Sequence, residues 1–200
     1  METFIQHARG LTARIATHRD EQETYGRLAA GQSPLALFIT CSDSRVVPSL
    51  ITGARPGELF ELRTAGNAVP VYQEGMAATA EAATIEYALR VLEVADVIVC
   101  GHSHCGAVGA RARGEDLTGA PAVRDWLTRQ LSDELPGDEG PAVTAAVQRH
   151  VREQVDRLRA YPCVRERLET GEVRLHGWFY EVHTGSVSVH QPAADAFLPL

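Results

Sequence analysis

Two short apolar runs, each ending on residues with metal-binding chemistry, constrain this chain more than any other feature. Leu35 to Thr40 (LALFIT) runs into Cys41, and Asp96 to Cys100 (DVIVC) runs into Gly101 to Cys105 (GHSHC). Runs this short and this apolar read as strands buried on both faces, the kind found in parallel sheets. Gly57 to Arg63 (GELFELR) reads as a further strand. Between these strands, Gly75 to Val91 reads as a helix, with Ala78, Ala82, Ile85, Leu89 and Leu92 on one face. Strands alternating with helices read as an open α/β fold built on parallel strands. Cys41 and the GHSHC segment then lie at strand carboxyl ends, where open α/β sheets place their sites.

The remaining segments fit the same plan. Phe4, Ile5, Ala8, Leu11 and Ile15 recur at helical spacing, and a second short helix runs to about Ala30, stopped by Gly31 and Pro34. The stretch from Leu117 to Ala160 reads as mostly helical, with a break at Pro136 to Pro141 (PGDEGP). Val173 to Tyr180 and Ser186 to His190 alternate as two later strands joined by a turn at Thr184-Gly185. The 200 residues suffice for one α/β domain, 31–200, preceded by a helical arm, 1–30.

Charge and composition exclude several functions. The net charge is −7, lysine is absent, and the 19 arginines form no basic stripe. That argues against a nucleic-acid partner or an anionic membrane surface. The longest apolar stretches, such as Val94 to Cys100, are too short to span a bilayer, so no membrane role is expected. Met1 to Gly10 has neither the basic start nor the apolar run of a secretory leader. Cys41, Cys100, Cys105 and Cys163 are the four cysteines. A chain of this length needs no disulfide framework, and two of these are wanted as thiolates, so a reducing, cytoplasmic setting is expected.

The chemistry centres on Cys41, His102 and Cys105. Two thiolates and one imidazole form a ligand set that zinc favours. Three protein ligands leave one of zinc's four positions for water, the mark of a catalytic rather than a structural site. The HxxC spacing lets one turn present His102 and Cys105 together, while Cys41 arrives from a neighbouring strand. Taken singly, each residue reads as a buried thiol or a core histidine; the two segments together carry the zinc reading. His104 is a rival ligand, but adjacent residues of opposite parity point apart, which leaves it outside the set. Asp43 and Arg45 lie two and four residues after Cys41. A guanidinium can clamp a carboxylate through two hydrogen bonds; alone, the pair reads as a surface ion pair of little worth.

CSDSR (Cys41 to Arg45) followed by GHSxCG (Gly101 to Gly106) resembles the β-class carbonic anhydrases. The resemblance extends through GQSPLALFITCSDSRVVPSLITGARPGELFELRTAGNAVP (Gly31 to Pro70), IEYAL (Ile85 to Leu89), VCGHSHCGAV (Val99 to Val108) and HGWFYEVHTGSV (His176 to Val187). It implies zinc-dependent, reversible hydration of carbon dioxide to bicarbonate. By its motifs, Cys41, His102 and Cys105 are the zinc ligands and Asp43 with Arg45 the catalytic dyad. Gln32 matches a glutamine that hydrogen-bonds substrate from across a subunit interface. Phe60 and Tyr87 match positions that wall an apolar cleft. The resemblance also implies an α/β single domain with a mostly parallel twisted sheet flanked by helices, and a homodimer or higher homo-oligomer, wrapped by the amino-terminal arm, with the cleft at the dimer interface. Two positions depart from the pattern: Thr64 stands where many relatives have asparagine, and Phe38 where some have a tryptophan that, with the counterparts of Arg63 and Tyr180, builds an inhibitory bicarbonate pocket. A carbonyl sulfide or carbon disulfide hydrolase on the same scaffold, and a non-catalytic zinc-stabilised oligomer, are the alternative readings. A dinucleotide site is disfavoured, because Gly101, Gly106 and Gly109 do not spell GxGxxG.

Overall fold

A computed structural model describes residues 1–75, 78–136, 140 and 142–200. Its contacts divide the chain into two units, Met1–Ser33 and Pro34–Leu200. In the first, α1 (Glu2–Thr17) and α2 (Arg19–Leu28) meet at His18, whose extended backbone breaks the helix between them. Neither helix buries a residue, and Phe4 is 74% exposed.

The second unit is built on β1 (Ala36–Cys41), β2 (Leu59–Thr64), β3 (Asp96–His102), β4 (Arg174–Tyr180), β5 (Val187–Gln191) and β6 (Ala196–Pro199). They form one sheet in the order β2-β1-β3-β4-β5-β6. The first four strands in that order are parallel, and β5 and β6 are added antiparallel, so the sheet is mostly parallel. All six residues of β1 are buried, as expected of a central parallel strand with helices packed around it.

The helices are α3 (Pro48–Thr52), α4 (Ala80–Glu86), α5 (Gly106–Ala112), α6 (Pro121–Gln130), α7 (Thr144–Leu158) and α8 (Pro162–Glu169). Leu37, Ile39, Val97 and Val99 point from the sheet into the main core, with Ile85, Leu89, Val108, Val147 and Val151 from the helices. Ala36, Phe38, Ile98 and Cys100 form a smaller cluster with Leu59, Trp178 and Tyr180. The period-two alternation of β1 and β3 sorts their side chains between the two clusters.

Several elements differ from the sequence reading. The helix expected over 75–91 starts at Ala80, and from Tyr87 to Val91 its turns widen to π geometry, closed by Leu92 N–H to Tyr87 O at 3.0 Å. Residues 76 and 77 of that expected helix lie outside the described residues, as do 137–139 and 141 of the expected break at 136–141. α3, α8 and β6 lacked a strong enough period to be read: α3 has five residues and β6 four. β3 runs two residues past Cys100, so His102 is the last residue of a strand rather than part of a turn.

Candidate active site

Sheet register brings the two chemical segments together. Thr40 pairs with Cys100, so Cys41 falls level with Gly101, one residue short of His102. Gly101 is required at that level: a Cβ there would lie 2.6 Å from both Val147 Cγ1 and Val151 Cγ2 of α7. Beyond His102 the chain is pinned at Ser103. Its N–H donates to Tyr180 O at 2.9 Å, and its Oγ accepts from Val182 N–H at 2.9 Å. Cys105 then opens α5, where the backbone N–H groups of Ala107 and Val108 favour the charged form of its sulfur.

The outcome is a buried cluster of Cys41, His102 and Cys105, whose ligand atoms all lie within 4.8 Å of one another. His102 Nδ1 donates to Ser103 O at 2.9 Å, which leaves the Nε2 lone pair facing the cluster. Nε2 is buried and has no hydrogen-bond partner. Buried polar atoms are rarely left this way, and a ligating nitrogen facing two sulfurs is the donor chemistry that zinc takes. The residues present therefore fit the ion. Of the two sulfurs, Cys41 is the one that keeps its charge. Donation from the Cys105 thiol lowers its pKa most, against the opposing effect of burial, with the Asp43 and Gly66 backbone N–H groups adding to the lowering. Cys105 is pushed the other way, by its bond to Cys41 and by burial.

Asp43 and Arg45 form the clamp the sequence suggested. Arg45 Nε donates to Asp43 Oδ1 at 2.9 Å and Nη2 to Oδ2 at 2.7 Å, while the Arg45 backbone N–H adds a bond to Oδ1 at 2.9 Å. Nη2 also donates to His104 O at 2.9 Å, tying the first segment to the second. The guanidinium holds the Asp43 carboxyl well below the usual carboxylate range. Asp43 Oδ2 lies 3.9 Å from His102 Nε2, beside the cluster but outside it.

His104 does not join the cluster. Its backbone is left-handed (φ 58°), and its ring meets His183 edge-on at 6.3 Å. Phe60 and Tyr87 stack on each other at 5.8 Å, with Tyr87 45% exposed. Phe60 is level with Leu37, four residues before the Cys41–Thr64 pair, or about 13 Å down the sheet at ~3.3 Å per residue. Gln32 is exposed and belongs to the Met1–Ser33 unit. Thr64, one of the departures from the pattern, is buried and donates to Ala68 O at 3.0 Å. Phe38, the other departure, is buried edge-on against Trp178 at 5.9 Å. Arg63 is committed to backbone: Nε and Nη2 donate to Cys41 O, and Nη2 also to the carbonyls of Asp43 and Val46. It thereby holds the loop that carries Cys41 and Asp43.

Sequence reasoning missed one buried polar pair near the site, His150 and Gln154 on α7. The available signal was two polar residues four apart within the apolar face formed by Ala146, Val147, Val151 and Leu158.

Buried thiols and an imidazole at the carboxyl ends of neighbouring parallel strands, with a clamped carboxylate beside them, form a donor set of the kind zinc takes on an α/β sheet. The profile of the family "Carbonic anhydrase" matches residues 36–187. A carbonic anhydrase of Pseudomonas aeruginosa is 44% identical over 184 residues, covering 89% of this chain and 83% of that protein. One of Synechococcus elongatus is 44% identical over 191 residues, covering 92% and 68%. Among solved structures, the β-carbonic anhydrase CcaA superposes with a TM-score of 0.89 at 37% identity, covering 100% of this chain and 99% of that one. A tetrameric β-carbonic anhydrase of Sordaria macrospora gives 0.77 at 28% identity, covering 94% and 97%. The chain belongs to the carbonic anhydrase family, in its β class. Its reaction is the zinc-dependent, reversible hydration of carbon dioxide to bicarbonate and a proton.

Proposed function

We propose that Cys41, His102 and Cys105 hold the zinc and that Asp43 and Arg45 form the catalytic dyad. The observation that carries this reading is the bare, buried Nε2 of His102 facing two sulfurs. Bound zinc supplies the Lewis acidity that makes hydroxide available from water near neutral pH. Asp43 stays ionised, and its Oδ2 keeps acceptor capacity after taking one bond from Arg45. It orients the attacking oxygen by accepting a hydrogen bond from that oxygen's O–H. Arg45 binds both carboxylate oxygens and so restrains Asp43 from swinging into the cluster. Carbon dioxide is uncharged, so apolar walls suffice to hold it. Gln32 steadies the product oxygens, and Phe60 and Tyr87 wall the cleft.

The distance of Phe60 from the Cys41 level favours walls that come from a second copy of the chain. In this reading the protein is a homodimer or larger homo-oligomer, and residues 1–30 wrap the partner. The unburied apolar residues of α1 support it. The chain works in the cytoplasm, a setting in keeping with four free cysteines. Among the described residues no helix is long and apolar enough to cross a membrane.

The test is metal analysis beside stopped-flow hydration of carbon dioxide, with carbonyl sulfide as a parallel substrate. Cys41→Ala is expected to lose both zinc and hydration activity. Stoichiometric zinc in that variant would overturn the ligand assignment.

A further inference from the structure

His150 is wholly buried on α7 and takes no part in the cluster itself. Its Nε2 lies 2.8 Å from Gly66 O, and its Nδ1 lies 3.3 Å from Gln154 Nε2. Gln154 Oε1 accepts from Val69 N–H at 2.8 Å, which fixes the amide so that its nitrogen faces the ring. An amide nitrogen only donates, so Nδ1 accepts and the ring proton sits on Nε2, donating to Gly66 O. Burial pulls the His150 pKa down to about 4, against the Gly66 bond, so the ring is neutral near pH 7.

The turn that receives this bond, Ala65–Asn67, is unusual. Gly66 (φ 74°) and Asn67 (φ 48°) are both left-handed. The Gly66 N–H is one of the backbone groups that hold the Cys41 pKa down, which places it towards that sulfur. One glycine thus has its carbonyl held by His150 and its N–H aimed at a ligand. Glycine has wide backbone freedom, so nothing within the residue itself keeps the N–H on the sulfur. An N–H bond to a thiolate drains charge from it and leaves any ion it holds a stronger Lewis acid.

We propose that His150 is a positioning residue for the metal centre: by holding the Gly66 carbonyl it keeps the Gly66 N–H on the Cys41 sulfur and so sets that sulfur's donor strength. This rests on the reading of Cys41 as a zinc ligand. Gln154 serves the same end one step back, by fixing the ring's tautomer.

The experiment uses the full-length protein loaded with cobalt(II) in place of zinc. Its sulfur-to-cobalt charge-transfer absorption must weaken in Cys41→Ser; an unchanged band there removes the ligand reading, and this proposal with it. With that reading in place, His150→Phe is expected to move the band to longer wavelength, raise the midpoint of the pH–rate profile and weaken zinc binding about 10-fold. His150→Gln, which keeps a donor at the Nε2 position, is expected to restore all three. A folded His150→Phe with the wild-type band and midpoint overturns the proposal. One measurement needs no variant. In the wild-type protein loaded with cadmium-113, the Gly66 amide proton is expected to show scalar coupling to the metal across the Cys41 sulfur. Absence of that coupling also overturns it.

Discussion

Asp43 accepts three hydrogen bonds, all from Arg45, and the side chain that supplies two of them also reaches the His104 carbonyl. Removing the guanidinium frees the carboxylate and loosens one segment from the other, while Cys41, His102 and Cys105, the proposed ligands, stay. Arg45→Ala is expected to lower hydration activity about 10- to 100-fold with zinc still near one per chain. Stopped-flow rates paired with metal analysis check this, and full activity would remove Arg45 from the mechanism. His150 makes a different, pH-dependent contribution. Its pKa is about 4 in the folded protein against 6.5 for an ordinary histidine, so the unfolded chain takes up a proton that the folded one refuses. Stability from this residue is full above about pH 6.5 and is lost as pH falls towards 4, by about 3 kcal/mol at ~1.36 kcal/mol per unit. The lowered Asp43 adds its own loss only further down, below the ordinary carboxylate range. His150→Gln cannot titrate, so its urea midpoint should fall less than wild type between pH 7 and pH 4.5; equal slopes would refute the account. The clamp was legible in CSDSR because both partners lie within five residues. His150 was not, because its acceptor is 84 residues away.

The decisive packing contact between elements is α7 on β3. It fixes the end of the strand that carries His102, and at Gly101 the α7 valines leave no room for a Cβ. Gly101→Ala would drive a methyl into Val147 and Val151, which cannot swing clear as long flexible side chains do. A loss of about 1–3 kcal/mol is expected from chemical denaturation, with reduced zinc occupancy because β3 must shift. Wild-type stability in this variant would show that the contact is slack. β1 and β3 were readable from their unbroken apolar runs. The π turn at Tyr87–Val91 was not, since helical periodicity predicts apolar faces rather than the widening of a turn.

At the scale of the molecule, the proposed role of Phe60 and Tyr87 as cleft walls, set against the distance of Phe60 from the Cys41 level, makes function depend on assembly. If a second copy completes the cleft, activity per chain must depend on association. Replacing Phe4 and Leu11, both exposed on α1, by glutamate is expected to shift light-scattering mass towards monomer and lower hydration activity in parallel. A fully active monomer would remove the second copy from the site.

What the sequence determined by itself was the chemistry: which side chains can bind zinc, that a carboxylate and a guanidinium stand beside one of them, and that the runs before them are strands. Those properties are local, set by residue type and by spacing within a few positions. Tertiary structure alone decided that β1 and β3 are neighbours in a register bringing Cys41 level with Gly101. It also decided that His102 ends with a bare nitrogen, and that a histidine on α7 braces the Gly66 turn against the Cys41 sulfur. These depend on packing between segments 60 to 84 residues apart, where no short-range pattern in the chain records the outcome.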